Sequence, residues 1–135
     1  MSEPGTEPVT GGCLCGACTY STEAQPLNIR ACHCRMCRKV TGGAVYARVS
    51  VPLDKTDWKG PVGWYQSSPE LRRGFCKQCG ASLFSERAKD NAIGLTFGTL
   101  DHPERFRPEA QIWRSSGLSW IELSEDITCH DQGYV

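Results

Sequence analysis

The residues in this sequence best equipped for chemistry are its nine cysteines, in a chain of 135 residues. They fall into GGCLCGAC (Cys13, Cys15, Cys18), ACHCRMC (Cys32, Cys34, Cys37) and FCKQCG (Cys76, Cys79), with Cys129 alone near the C-terminus. C-x-C and C-x-x-C spacings suit thiolate metal ligation better than disulfides. Cysteines at i and i+2 of an extended segment point to opposite faces and cannot easily bridge each other. The odd count also argues against a secreted disulfide framework. The N-terminal MSEPGTEPVT is acidic and has no apolar run, unlike a secretory signal. The expected compartment is therefore a reducing cytoplasm, with residues 1–9 a short disordered lead-in.

In FCKQCG two cysteines flank a tight turn closed by Gly80, the form of a zinc knuckle. A knuckle supplies two ligands and needs a partner pair. Cys13 and Cys15, likewise followed by a glycine, complement it. Cys13, Cys15, Cys76 and Cys79 would then form a closed four-thiolate zinc site that contributes folding free energy. Cys32, Cys34 and Cys37 remain. Three thiolates with a place left for water or substrate is the logic of a catalytic zinc. Cys18, Cys129 or His33 could instead close that site, and spacing alone leaves the choice open. His33 is the weakest rival, because adjacent residues diverge in direction. Iron–sulfur or Cu(I) sites fit knuckle turns less well than zinc. Two Zn²⁺ per chain are expected.

Charge around the second cluster is one-sided. No acidic residue occurs between Glu23 and Asp54, while Arg30, Arg35, Arg38, Lys39 and Arg48 do. Zn²⁺ with three thiolates carries net charge −1, so these cations would stabilise the metallated site. Arg38 or Lys39 could also receive a substrate carboxylate. His33 and His102 are the candidate proton-transfer groups, though each has a structural role as its simpler explanation.

The elements that must hold these groups read as strands. ACTYSTE (17–23), GAVYARVSVP (43–52), VGWYQSS (62–68), NAIGLTFGTL (91–100), AQIWRSS (110–116) and SWIEL (119–123) are short, rich in β-branched and aromatic residues, and punctuated by Gly and Pro. No segment holds a 3.6-residue apolar period over three turns, so helix is expected only as a turn or two, at MCRKVTG and DHPERF. One mostly β domain over residues 10–130 is predicted. Its tryptophans and tyrosines are expected to fill the core, with a pocket wall as the alternative. Fifteen basic and fifteen acidic side chains point to neither nucleic acid nor an acidic partner, and no run is long enough to span a bilayer.

GGCLCGAC, CHCRMCRKVTG and FCKQCGASLF, in this order and spacing over about residues 10–125, resemble the glutathione-dependent formaldehyde-activating enzyme family, also named for centromere protein V. The resemblance implies an Mss4-like (β-tent) fold of short antiparallel sheets. It also implies a structural zinc at Cys13, Cys15, Cys76 and Cys79, and a catalytic one at Cys32, Cys34 and Cys37. Two positions depart from the family pattern: Gln111 stands where histidine is frequent, and Cys18 replaces a small apolar residue.

The expected function is a zinc-dependent carbon–sulfur lyase or synthase acting on a small glutathione-like thiol and a small aldehyde such as formaldehyde. The alternative is a non-enzymatic, zinc-stabilised binding module. Nucleic-acid binding through the basic window has a weak footprint. Short exposed β edges would allow a homodimer.

Overall fold

A computed structural model describes residues 7–133 of the chain. Its strands are β1 (Val9–Gly12), β2 (Thr19–Thr22), β3 (Asn28–Cys32), β4 (Tyr46–Pro52), β5 (Thr56–Lys59), β6 (Val62–Ser68), β7 (Leu71–Cys76), β8 (Ser82–Arg87), β9 (Ala92–Thr96), β10 (Ala110–Ile112) and β11 (Thr128–Cys129). They form a three-stranded sheet, β1-β2-β5, and an eight-stranded sheet, β11-β10-β3-β4-β9-β8-β7-β6. The mostly β expectation holds. The larger sheet is mixed, because β10 runs parallel to both β3 and β11 while its other pairings are antiparallel.

Alternation along the strands sorts the side chains. Val49 and Val51 of β4, Leu83 of β8, and Ile93 and Leu95 of β9 are fully buried, and Tyr20 and Phe84 almost so. Each such aliphatic or aromatic side chain stabilises the fold by about 1.5–3 kcal/mol relative to exposure. Phe84 lies 5.4 Å from the rings of Tyr20 and Trp58 and 5.9 Å from Trp64, so these aromatics fill the core between the sheets. Tyr46 and Trp113 also line a cavity, and Tyr65 and Trp120 are exposed.

One helix of two turns, α1 (Arg35–Thr41), follows β3. Cys34 is its N-cap, its sulfur accepting the Cys37 N–H, and Gly42 ends it in the left-handed region at φ 72°. A 3-10 turn forms at Pro103–Arg105, so both expected helical stretches are present. SWIEL is not a strand: the chain makes a turn there, with Ile121 N–H donating to the Leu118 carbonyl. β10 is flanked by β3 on one side and β11 on the other, and SWIEL joins neither sheet. Residues 1–6 of the expected lead-in lie outside the described residues; Val9 is buried and opens β1. No helix among the described residues is long and apolar enough to cross a membrane.

Candidate metal centre

The first cysteine cluster joins the two sheets. Cys13 and Cys15 follow β1, and Cys76 and Cys79 sit at the end of β7 and in the turn beyond it. All four sulfurs lie within 4.8 Å of one another, with Cys13–Cys15 at 3.6 Å and Cys15–Cys76 at 3.7 Å. Four sulfurs at about 2.3 Å from a tetrahedral zinc would stand about 3.8 Å apart, so this donor set fits that ion. Backbone donors support anionic sulfur: Cys18 N–H reaches Cys13 Sγ at 3.2 Å, and the N–H groups of Gln78 and Cys79 reach Cys76 Sγ at 3.3 and 3.4 Å. The Cys18 N–H, opposed in part by burial, lowers Cys13 to about 6, and the Cys79 N–H lowers Cys76. Gly16 and Gly80 stand at φ 82° and 78°, a left-handed conformation that lets each turn present its sulfurs and amides together.

The second cluster is Cys32 at the end of β3, Cys34 as helix cap and Cys37 in the first turn of α1. These three sulfurs also lie within 4.8 Å of one another, and among the described residues no fourth histidine, cysteine or carboxylate joins them. Cys37 N–H donates to Cys34 Sγ at 3.3 Å. Hydrogen bonds from Cys32 and Cys37 hold Cys34 down to about 2, while the bond to Cys34 pushes Cys32 up. Both cysteine clusters could hold metal ions.

The rival ligands stand elsewhere. Cys18 is buried beside the first cluster, where desolvation and the neighbouring Cys76 push its thiol up to about 12, so it packs as a neutral thiol. Cys129 is exposed on β11. His33 is fully buried and faces away from the sulfurs, its Nε2 2.9 Å from Gln111 Oε1, while its Nδ1 has no hydrogen-bond partner. This is the divergence expected of a residue between two ligands. Gln111 is thus the partner of a core histidine. His102 is exposed and faces Glu104 at 3.5 Å, remote from either cluster's sulfurs in the surface turn after β9.

A cavity of about 410 Å³ opens beside the three-thiol cluster. Cys32, Cys34 and Cys37 contribute to its lining, with Tyr46, Trp113 and four arginines, and no carboxylate. The arginines are Arg35, Arg48, Arg73 and Arg87. Arg38 and Lys39, the cations expected to meet substrate, line a separate cleft of about 380 Å³ with Gly42, Gly43 and Leu118. Helix geometry accounts for this, since each step along α1 rotates the side chain by about 100° away from Cys37. Arg48 donates to Asn28 Oδ1 at 2.7 Å, and burial lowers its guanidinium below the usual range.

Arg73 is the cation that sequence reasoning missed. It is only 4% exposed, its Nη2 lies 3.6 Å from Cys37 Sγ, and its guanidinium stands 5.7 Å from the centre of the Tyr46 ring. Its neighbour Arg72 points to the other face and forms a bidentate pair with Glu86 at 2.6 and 3.0 Å. The signal was present in LRRGF: period-two alternation places Arg73 on the face of Leu71, the face that is buried.

Known proteins extend these observations. An uncharacterized lyase of Schizosaccharomyces pombe is 31% identical over 74 residues, 55% of this chain and 54% of that protein. The chain thus matches about half the length of that curated relative. A crystal structure of a Rhodobacter sphaeroides protein superposes with a TM-score of 0.55 at 25% identity, covering 68% of this chain and 87% of the other. The profile of one family matches residues 8–116, which contain both cysteine clusters and every strand from β1 to β10. The chain belongs to the glutathione-dependent formaldehyde-activating enzyme family.

Proposed function

We propose that this protein is a zinc-dependent carbon–sulfur lyase or synthase that joins a small, glutathione-like thiol to a small aldehyde such as formaldehyde, or runs the reverse cleavage. The observation that carries the reading is the contrast between the clusters. Four cysteines surround one candidate metal position, whereas three cysteines face a cavity rimmed by cations at the other. In this reading Cys13, Cys15, Cys76 and Cys79 hold a structural zinc, and Cys32, Cys34 and Cys37 hold the zinc that meets substrate. That ion supplies a Lewis acid that favours ionisation of a thiol at neutral pH.

The chain's own residues account for the rest. The arginine lining raises the local concentration of an anionic thiol and disfavours cationic competitors. Tyr46, fixed by a 2.9 Å hydrogen bond between its hydroxyl and Ser85 Oγ, and Trp113 wall the cavity and limit the water beside the reacting atoms. The thiol proton passes to solvent through the cavity mouth, since no histidine lines it. The sulfur lone pair forms the C–S bond, the carbonyl π pair moves to oxygen, and that oxygen takes up one proton. Thiol plus aldehyde gives an S-hydroxyalkyl adduct with no redox change.

The test is a turnover screen of metal-replete protein with glutathione and other low-molecular-weight thiols against small aldehydes, followed by NMR exchange between free and adduct carbon. At least one pair should exchange faster than its uncatalysed rate. A metal-replete, folded protein that accelerates none of them would refute the reading.

A further inference from the structure

Arg73 occupies a position that folding alone does not explain. A buried guanidinium without a counter-charge is costly, and such groups are normally paired with a carboxylate. No carboxylate salt bridge to Arg73 is found among the described residues; its Nη2 donates to Cys37 Sγ at 3.6 Å. Its Nε is buried without a hydrogen-bond partner. The side chain is held between β6 and β8, where Arg73 pairs in register with Tyr65 and Ser85, and over the Tyr46 ring. It cannot easily relax toward water. The site therefore carries a fixed positive charge at the edge of the three-thiol cluster, facing the cavity.

We propose that Arg73 is a catalytic residue that holds the incoming sulfur as an anion. The proposal rests on the thiol-adding reading above and assigns the stabilising charge to one side chain. Charge counting supports it. Three thiolates and a divalent ion sum to −1, which Arg73 balances. A fourth sulfur anion would bring the sum to −2, and Arg73 with Arg48 across the cavity balances that state as well. A neutral fourth ligand leaves the half-buried Arg48 without an anionic counterpart in the count. The proton released when the thiol ionises goes to solvent, so the binding step is balanced without further reagents. Lysine could supply the charge at this position but not the planar fork that reaches Cys37 and a neighbouring sulfur together.

The experiment measures binding by calorimetry on metal-replete protein, with 2-mercaptoethanol as probe and its S-methyl thioether as a control that cannot ionise. Arg73→Met should weaken thiol binding by about tenfold or more, the scale of a charge-assisted hydrogen bond. Thioether binding and metal content should stay as in the wild type. Arg73→Lys, which keeps the charge but not the fork, should recover part of the lost thiol binding. If Arg73→Met does not fold, Arg73→Gln carries the same expectation. Thiol affinity that is unchanged, or that falls only in step with lost metal or with thioether affinity, makes Arg73 a structural counter-ion and overturns the proposal. A wild-type protein that turns over thiol and aldehyde while Arg73→Met binds thiol normally refutes Arg73's role alone. A wild type that binds no thiol refutes both readings.

Discussion

Replacing Gln111 with leucine isolates one buried hydrogen bond and, through it, the role of His33. The two side chains are 7% and 0% exposed, their contact is 2.9 Å, and His33 Nδ1 already lacks a partner. Leucine at 111 would leave the imidazole with both nitrogens buried and unsatisfied. An unpaired buried donor costs about 1–3 kcal/mol. For a domain of this size each kcal/mol lowers the melting midpoint by about 3–5 °C, so Gln111→Leu should lose roughly 5–10 °C. The double change His33→Phe with Gln111→Leu removes both partners and should recover at least half of that loss, because a matched apolar pair needs no hydrogen bond. Thermal unfolding of metal-replete protein measures both. Turnover in the thiol–aldehyde assay should stay within about threefold of wild type in Gln111→Leu, since the pair does not line the cavity. A Gln111→Leu protein as stable as wild type would show that the buried contact contributes little. A collapse of turnover without loss of stability would place His33 in the chemistry and refute the packing role.

Two further predictions follow from other parts of the molecule. Tyr20 is buried, bonded to Thr99 Oγ1 at 2.8 Å, and burial raises its phenol well above the usual tyrosine range. Its contribution to stability is fully present below the ordinary tyrosine pKa of about 10 and is lost as pH rises above it. Tyr20→Phe should therefore flatten the fall in urea midpoint above pH 10, at a cost of about 1 kcal/mol at neutral pH; an unchanged alkaline slope would contradict this. Cys76→Ser and Cys37→Ser should each lower bound metal by one per chain, read by elemental analysis. Only Cys76→Ser should also cut the thermal midpoint by more than about 10 °C, because its cluster ties the two sheets together. The opposite ranking would exchange the roles given to the clusters.

The division of cysteines was legible because ligand pairs are set by local turns, and the spacing of two sulfurs on a turn changes little with the rest of the fold. The composition of the cavity was not. Arg38 and Lys39 adjoin Cys37 in sequence but rotate away from it on α1, whereas Arg73 arrives from a strand 36 residues later. Several strands also escaped notice. β7 reads LRRGFC, with two arginines and a glycine that mask its alternation, and β5 is a short, mostly polar TDWK stretch whose strand partner is β2. SWIEL shows the converse: local β preference without a pairing partner gives no strand. The parallel pairing of β10 with β3, which places Gln111 opposite Ala31 and beside His33, joins segments about eighty residues apart and leaves no local trace.

β7 carries Cys76 and Arg73 on one stretch of backbone. Three residues of strand span about 10 Å, and a bulge between Gly74 and Phe75 interrupts the register with β8 along the way. A metal held at the knuckle would fix the Cys76 end of the strand that carries Arg73. Draining metal from the knuckle would let that strand slide or fray, and would disturb the distant cavity without touching any residue that lines it. Catalytic competence and mechanical integrity would then fail together, the one reporting on the other.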